Sequence, residues 1–329
     1  MKLNKTTVVF FLIMLYGLIA KAQSFPSVSV HDPCIIRQDS TYYIFCTGIG
    51  ISVFSSTDLK DWKKEKPVFS TAPEWAVQEI PGFRGHIWAP DISYHNSQYY
   101  LYYAASAFGK NTSAIGIATN KTLNPSDKNF KWIDHGKVIQ SVPGRDMWNA
   151  IDPNLIVANG KPWLAFGSFW DGIKLVELDS TLMQISKPEK WYSIAGRKRN
   201  FIYPDSVAGD AAIEAPFIFK KNNYYYLFVS FDYCCRGVKS TYKMMVGRSE
   251  NAYGPYVDRD GVPMNLGGGS LVLEGDQNWD GVGHNAVAEF NGIDYLVFHG
   301  YDAHDNGKPK LRIEKLAWYN GWPFVFRSF

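Results

Sequence analysis

Ile213-Glu214-Ala215-Pro216-Phe217, a turn at Asn222-Asn223, then Tyr224-Tyr225-Tyr226-Leu227-Phe228 reads as a short strand opening on a polar residue, a tight turn and an aromatic strand running back. The same unit recurs upstream as Ile151-Asp152-Pro153-Asn154-Leu155, a turn at Asn159-Gly160, and Pro162-Trp163-Leu164-Ala165-Phe166. It recurs again from Ala89-Pro90-Asp91-Ile92 into Tyr99-Tyr100-Leu101-Tyr102-Tyr103, and from His31-Asp32-Pro33 into Tyr42-Tyr43-Ile44-Phe45. A fifth copy starts near Gly283-His284-Asn285-Ala286 and continues as Tyr295-Leu296-Val297-Phe298. The anchors Asp32, Asp91, Asp152, Glu214 and Asn285 are spaced 59, 61, 62 and 71 residues apart. Units of about 60 residues, each with room for four strands, predict an all-β, five-bladed β-propeller. A β-sandwich would give no reason for five similar units. No linker separates a second domain, and Gly267-Gly268-Gly269 reads as a loop.

The N-terminus predicts a compartment. Lys2 and Lys5 precede an uncharged apolar run from Val8 to Ala20, and Ala20-Lys21-Ala22 ends in small residues. This pattern predicts a signal peptide over 1–22, cleaved before Gln23, and one domain over 23–329 that is secreted or periplasmic. The run is shorter than the roughly 20 residues that span a bilayer. Cleavage removes three of the 34 Lys and Arg, which brings the mature chain level with its 31 Asp and Glu. No basic surface argues for nucleic acid, and no segment of the mature chain argues for membrane insertion. In an oxidising compartment a Cys34–Cys46 bridge is plausible, and the adjacent Cys234-Cys235 are either a strained bridge or two buried thiols.

The unit starts also carry the chemistry. In a propeller the first strand of each blade lines the axis, so Asp32, Asp91, Asp152, Glu214 and His284-Asn285 should gather around one cavity. A single Asp-Pro is as readily a turn residue as a functional one. Several carboxylates buried together are costly, and that favours a use for them. They could hold a hard cation through oxygen, or cleave a glycosidic bond with one protonated and one ionised carboxyl. Aromatic residues make up 16% of the chain, which serves sheet cores and also stacking on sugars.

At these residues the chain resembles glycoside hydrolase family 43, and within it the endo-α-1,5-L-arabinanases. The likeness rests on Val30-His31-Asp32-Pro33, Gly85-His86-Ile87-Trp88-Ala89-Pro90-Asp91, Ile151-Asp152-Pro153-Asn154, Phe166-Gly167-Ser168-Phe169-Trp170-Asp171-Gly172 and Ile213-Glu214-Ala215-Pro216-Phe217. It continues through Ser230-Phe231-Asp232-Tyr233-Cys234-Cys235-Arg236-Gly237 and Gly283-His284-Asn285. The resemblance implies inverting, endo-acting cleavage of arabinan. Asp32 would be the base that activates water, Glu214 the acid, and Asp152 the residue that keeps the acid protonated and in place. It implies calcium beside His284, completed mainly by water, and Trp88 and Phe108 lining the groove. For His284 the bland reading is a core histidine, and for the two aromatics it is core packing. Asp91 is as readily a structural acceptor and stays outside the catalytic set, while Arg312 is expected to pair with an axial carboxylate.

The expected partner is a polysaccharide, arabinan or pectin side chains, acted on by a monomer. Exo-acting arabinofuranosidase or β-xylosidase activity would use the same acids. Loops decide between the modes, and Tyr253 to Asp280 is the candidate loop. A non-catalytic glycan-binding propeller would keep the aromatics but could lose an acid, and all three acids are present.

Overall fold

The computed structural model describes residues 28–326, so the signal peptide expected over 1–22 lies outside the described residues. The chain forms five antiparallel sheets in sequence order. Blade 1 is Cys34–Gln38, Thr41–Cys46, Ser52–Ser56 and Lys63–Lys64. Blade 2 is His86–His95, Gln98–Ala105, Ala114–Asn120 and Ile133–Gln140, with Gly48–Ile49 added at its inner edge. Blade 3 is Asn154–Ala158, Lys161–Phe166, Ile173–Glu177 and Trp191–Ala195. Blade 4 is Ile213–Lys221, Tyr224–Phe231, Lys243–Ser249 and Ser270–Leu273, and blade 5 is Trp279–Phe290, Ile293–Asp302, Lys308–Tyr319 and Trp322–Val325. The protein is a five-bladed β-propeller, as the repeat predicts.

Both faces of each sheet are apolar because a blade packs against a neighbour on either side. The core is accordingly five clusters, one at each junction. Phe45, Tyr103 and Leu101 join blades 1 and 2; Tyr102, Leu164 and Phe166 join blades 2 and 3. Ile173, Leu227 and Val229 join blades 3 and 4, and Phe228, Leu296 and Phe298 join blades 4 and 5. Ile44 and Phe54 meet Phe290 and Leu311 where blade 5 returns to blade 1. Each such side chain, fully buried, contributes about 1.5–3 kcal/mol, so the aromatic second strands of the repeat are the adhesive of the ring. At the closing junction Leu311 N–H donates to Val28 O at 2.9 Å, and Ser29 Oγ donates to Pro309 O at 3.0 Å.

The backbone corrects the register of the repeat. One residue per blade at the axis adopts a left-handed conformation: Asp32 (φ 53°), Ala89 (42°), Asp152 (56°), Ala215 (56°) and His284 (52°). The equivalent positions are therefore these five, rather than Asp32, Asp91, Asp152, Glu214 and Asn285. Asp91 falls two residues after its blade's marker, and Glu214 falls one before. Four of the five markers have their N–H capped by a side chain of the preceding blade. Ala89 N donates to Thr47 Oγ1 (2.8 Å), Ala215 N to Asp152 Oδ2 (3.0 Å), His284 N to Ser230 Oγ (2.8 Å) and Asp32 N to His299 Nδ1 (3.1 Å). Left-handed non-glycine residues are strained, and these caps hold them in place.

The cysteines resolve differently from the bridge considered. Cys34 and Cys46 are buried free thiols, and Cys34 Sγ donates to Phe45 O at 3.5 Å. Cys34 stands two residues after Asp32, where Asp91 and Asn154 stand in the next two blades.

Candidate active site

Asp32 is the most heavily coordinated of the acids. Its Oδ1 lies 2.8 Å from His31 Nδ1 and 3.1 Å from His284 Nδ1, and its Oδ2 accepts from Thr47 Oγ1 at 2.6 Å. Burial alone would raise its pKa, but His31 and then His284 outweigh it and hold the carboxyl well below the usual range. Asp32 is thus kept ionised. His299 Nδ1 spends its lone pair on the Asp32 amide, and burial keeps that ring neutral, its pKa well below the ordinary value. Its ring stacks on His31 with centroids 4.0 Å apart.

Asp152 faces the opposite situation. Burial drives its pKa up to about 8, against the pull of His284 and with the push of Glu214 and Asp32. Its proton is therefore retained at neutral pH, in an electrostatic unit with Glu214. Glu214 precedes the left-handed Ala215, where the first strand of blade 4 is interrupted by a register shift between Glu214 and Phe217. Ser168 Oγ donates to its Oε2 and Tyr242 Oη to its Oε1, both at 2.8 Å. Tyr242 reaches it only because residue 283 is glycine, since a Cβ there would stand 2.2 Å from the Tyr242 ring.

His284 is half-buried at the axis, with its pKa held up at about 9: desolvation would lower it, but Asp32 first, then Asp152 and Glu214, raise it. A field that favours a proton there also favours a cation nearby. The next residue, Asn285, buries both polar atoms of its side chain without a protein partner, a setting suited to water or an ion. Among the described residues, the ligand groups close enough to share an ion are His31 with Asp32 and His299, and His31 with Cys234 and Cys235. A cation at His284 would therefore depend chiefly on water, as the residues present allow.

The aromatics are not core residues. Phe108 is 79% exposed, and Trp88 is half-buried with its Nε1 donating to His86 Nδ1 at 3.1 Å. Asp91 is a structural acceptor: its Oδ2 receives Leu155 N–H at 2.8 Å. Arg312 pairs with Glu314 and lies 4.4 Å from the Trp279 ring centroid, away from the axis. Of Tyr253 to Asp280, Ser270–Leu273 is the outer strand of blade 4, and Tyr253 stacks on Tyr192 of blade 3's outer strand. A second loop, Arg197–Asp210, leads directly into Ile213-Glu214. It is pinned by Arg197 to Asp232 (2.8 Å) and by Trp170 Nε1 donating to Asp205 O (2.9 Å).

Sequence reading gave no role to His31, Thr47, Ser168, Tyr242 or His299. Thr47 and Ser168 lie just past the ends of second strands and His299 lies within one, where a polar residue within two positions of an aromatic was the available signal.

The three carboxyls, drawn from three blades, with Asp32 held ionised and Asp152 held protonated, describe an enzyme that could cleave a glycosidic bond by acid and base. The chain belongs to the glycosyl hydrolases family 43, whose model matches residues 24–323. It is 51% identical over 300 residues to the extracellular exo-α-(1→5)-L-arabinofuranosidase ArbA of Cellvibrio japonicus, covering 91% of this chain and 86% of that one. It is 44% identical to the extracellular endo-α-(1→5)-L-arabinanase 1 of Bacillus subtilis, covering 89% and 87%. The solved structure of Cellvibrio cellulosa α-L-arabinanase complexed with arabinohexaose superposes with a TM-score of 0.89 at 50% identity, over 91% of this chain and 96% of that one.

Proposed function

We propose that the chain is a secreted hydrolase of α-1,5-linked L-arabinofuranose chains that works with inversion. Asp32 is the base, Glu214 the acid, and Asp152 the partner that shares the acid's proton. The observation that carries this reading is the split within one buried cluster: Asp32 held ionised by two imidazoles, and Asp152 held protonated beside Glu214. Inverting hydrolysis needs an ionised base and a proton available to the acid, and this cluster offers an ionised Asp32 and a proton on the partner of Glu214. Water deprotonated by Asp32 attacks the anomeric carbon while Glu214 protonates the departing oxygen. Thr47, His31 and His284 fix the Asp32 carboxylate, and Ser168 with Tyr242 fixes Glu214. Trp88 and Phe108 offer ring faces to the sugars. Secretion is supported by the names of the two relatives, both called extracellular.

A calcium ion at His284, held mostly by water, would add fixed positive charge to the acid cluster and steady it. His284 and the orphaned Asn285 amide support that placement.

The mode of attack has two readings. Release from a chain end is favoured by the higher identity to the exo-acting relative, 51% against 44%. Internal cleavage, implied by the resemblance of the sequence motifs, is supported by the 44% identity to the endo-acting relative. Product analysis over time on linear arabinan separates them: one short product from the start means exo, a ladder of oligomers means endo. In the same assay Glu214→Ala should lose at least ~10³-fold in kcat with the fold intact. Retained activity would refute the acid, and proton NMR showing a retained anomer would refute inversion.

A further inference from the structure

Beside Asp32 lies a chemical group the hydrolysis does not use. Cys234 and Cys235 are adjacent, with their Sγ atoms 2.6 Å apart, and Cys235 is exposed to solvent. Cys235 Sγ is 3.7 Å from His31 Nε2, whose Nδ1 holds Asp32 Oδ1 at 2.8 Å. Tyr301 ties the two together: its Oη accepts Cys235 N–H and contacts His31 Nε2, both at 2.7 Å. The segment is closed at its base by Thr241 N–H donating to Tyr233 O at 3.0 Å, and Arg236 lies 3.8 Å from the Tyr233 ring centroid. A thiol that is exposed, next to a second thiol and beside an imidazole has the surroundings of a reactive cysteine.

We propose that Cys234 and Cys235 form a redox pair that closes to a disulfide by exchange with a small disulfide such as oxidised glutathione, and that its state reaches Asp32 through His31. The Cys235 thiolate attacks one sulfur of the donor, forming a mixed disulfide and releasing one donor thiol. Cys234 then gives up its proton, attacks the Cys235 sulfur and expels the second donor thiol. The two cysteines lose two electrons and two protons, and the donor gains them as two thiols. The contact between the two sulfurs and the contact with His31 fit this order of attack: Cys235 is pulled down to about 6, first by Cys234 and also by His31, while Cys234 is pushed well up, first by Cys235 and then by burial. While Cys235 is a thiolate, it shares His31 with Asp32. Closure to the disulfide leaves His31 to Asp32 and Tyr301.

The test equilibrates the folded, full-length protein in reduced or oxidised glutathione, then alkylates it and maps its peptides. The activity readout rests on the function proposed above; the mapping does not, so failure of one is distinguishable from failure of the other. In oxidised glutathione the peptide carrying Cys234-Cys235 should be lighter by two hydrogens and refuse alkylation, with Cys34 and Cys46 still thiols. Its kcat on arabinan should be about two-fold or more above that of the reduced protein, with KM unchanged. In Cys235→Ser, and separately in Cys234→Ser, kcat should no longer follow the glutathione ratio. Two alkylatable thiols persisting in oxidised glutathione would overturn the proposal. So would one equivalent of a soft metal held by the pair, or a Cys235→Ser enzyme that still follows the ratio.

Discussion

Asp91 and Asn154 hold the same place in neighbouring blades and make the same bond. Asp91 Oδ2 accepts Leu155 N–H and Asn154 Oδ1 accepts Ile218 N–H, each at 2.8 Å and each from the residue 64 positions on. Since a neutral amide suffices at one junction, the charge of Asp91 is dispensable.

Asp91→Asn should therefore fold and keep its activity. Burial pushes Asp91 up to about 7 from 3.8. A carboxyl raised by folding stabilises in full below its unfolded value, and that contribution is lost as pH rises through the folded one. Thermal melts should show a flatter fall in Tm between about pH 4 and 7 for the variant than for the parent. Asp91→Ala should instead cost about 1–3 kcal/mol, because it orphans Leu155 N–H. An Asp91→Asn protein as unstable as Asp91→Ala would contradict the latch.

Asp152→Asn separates charge from architecture at the acid pair. The amide oxygen can still accept Ala215 N–H, so stability should change little. The ionisation held up near 8 disappears. The high-pH limb of the kcat/KM profile should move to lower pH, with a loss of about 10²-fold or more in kcat. An unmoved limb would remove Asp152 from the acid's control.

Gly283→Ala tests the seat of Tyr242. The added methyl meets the ring, and overpacking of this kind costs about 1–3 kcal/mol. Activity should fall by about ten-fold or more as Tyr242 leaves Glu214, and Tyr242→Phe should reproduce the kinetic loss without the loss of stability. Normal kinetics in both variants would show that Glu214 needs no such support.

Chelation probes the cation proposed at His284. Treatment with a chelator should lower kcat or Tm, and added calcium should restore it. In the stripped protein His284 is held up at about 9, above its unfolded 6.5. Its contribution is then complete below 6.5 and lost as pH rises through about 9, and His284→Gln should abolish that slope in thermal melts. Indifference of the parent to both chelator and calcium would dispose of the ion.

The ring was legible in the sequence because its signals are local. Turn pairs such as Asn159-Gly160 and aromatic runs such as Tyr224 to Phe228 mark a hairpin wherever they occur, and five at even spacing leave one architecture. Asp32, Asp152 and His284 were legible as unit starts, and each carries the left-handed backbone that marks one. The register was not legible, because Ala89 and Ala215 carry the left-handed turn with no side-chain signal, while Asp91 and Glu214 nearby have carboxyls that draw the eye. Nor could Tyr242 be seen: it lies 28 residues beyond Glu214, and their meeting depends on a missing Cβ at Gly283, a third place in the chain.

Each blade's main strands come from one run of the chain, so among the described residues no strand of blade 1 completes blade 5 or the reverse. The ring is fastened there by packing and by side-chain links, among them Asp32 N–H on His299, His31 on Tyr301 and Arg37 on Asn291. The carboxylate assigned to water activation thus rides on the joint between the first and last blades. A glycan spanning that joint would act as a clasp across it, and gentle warming should silence the enzyme before its sheets melt.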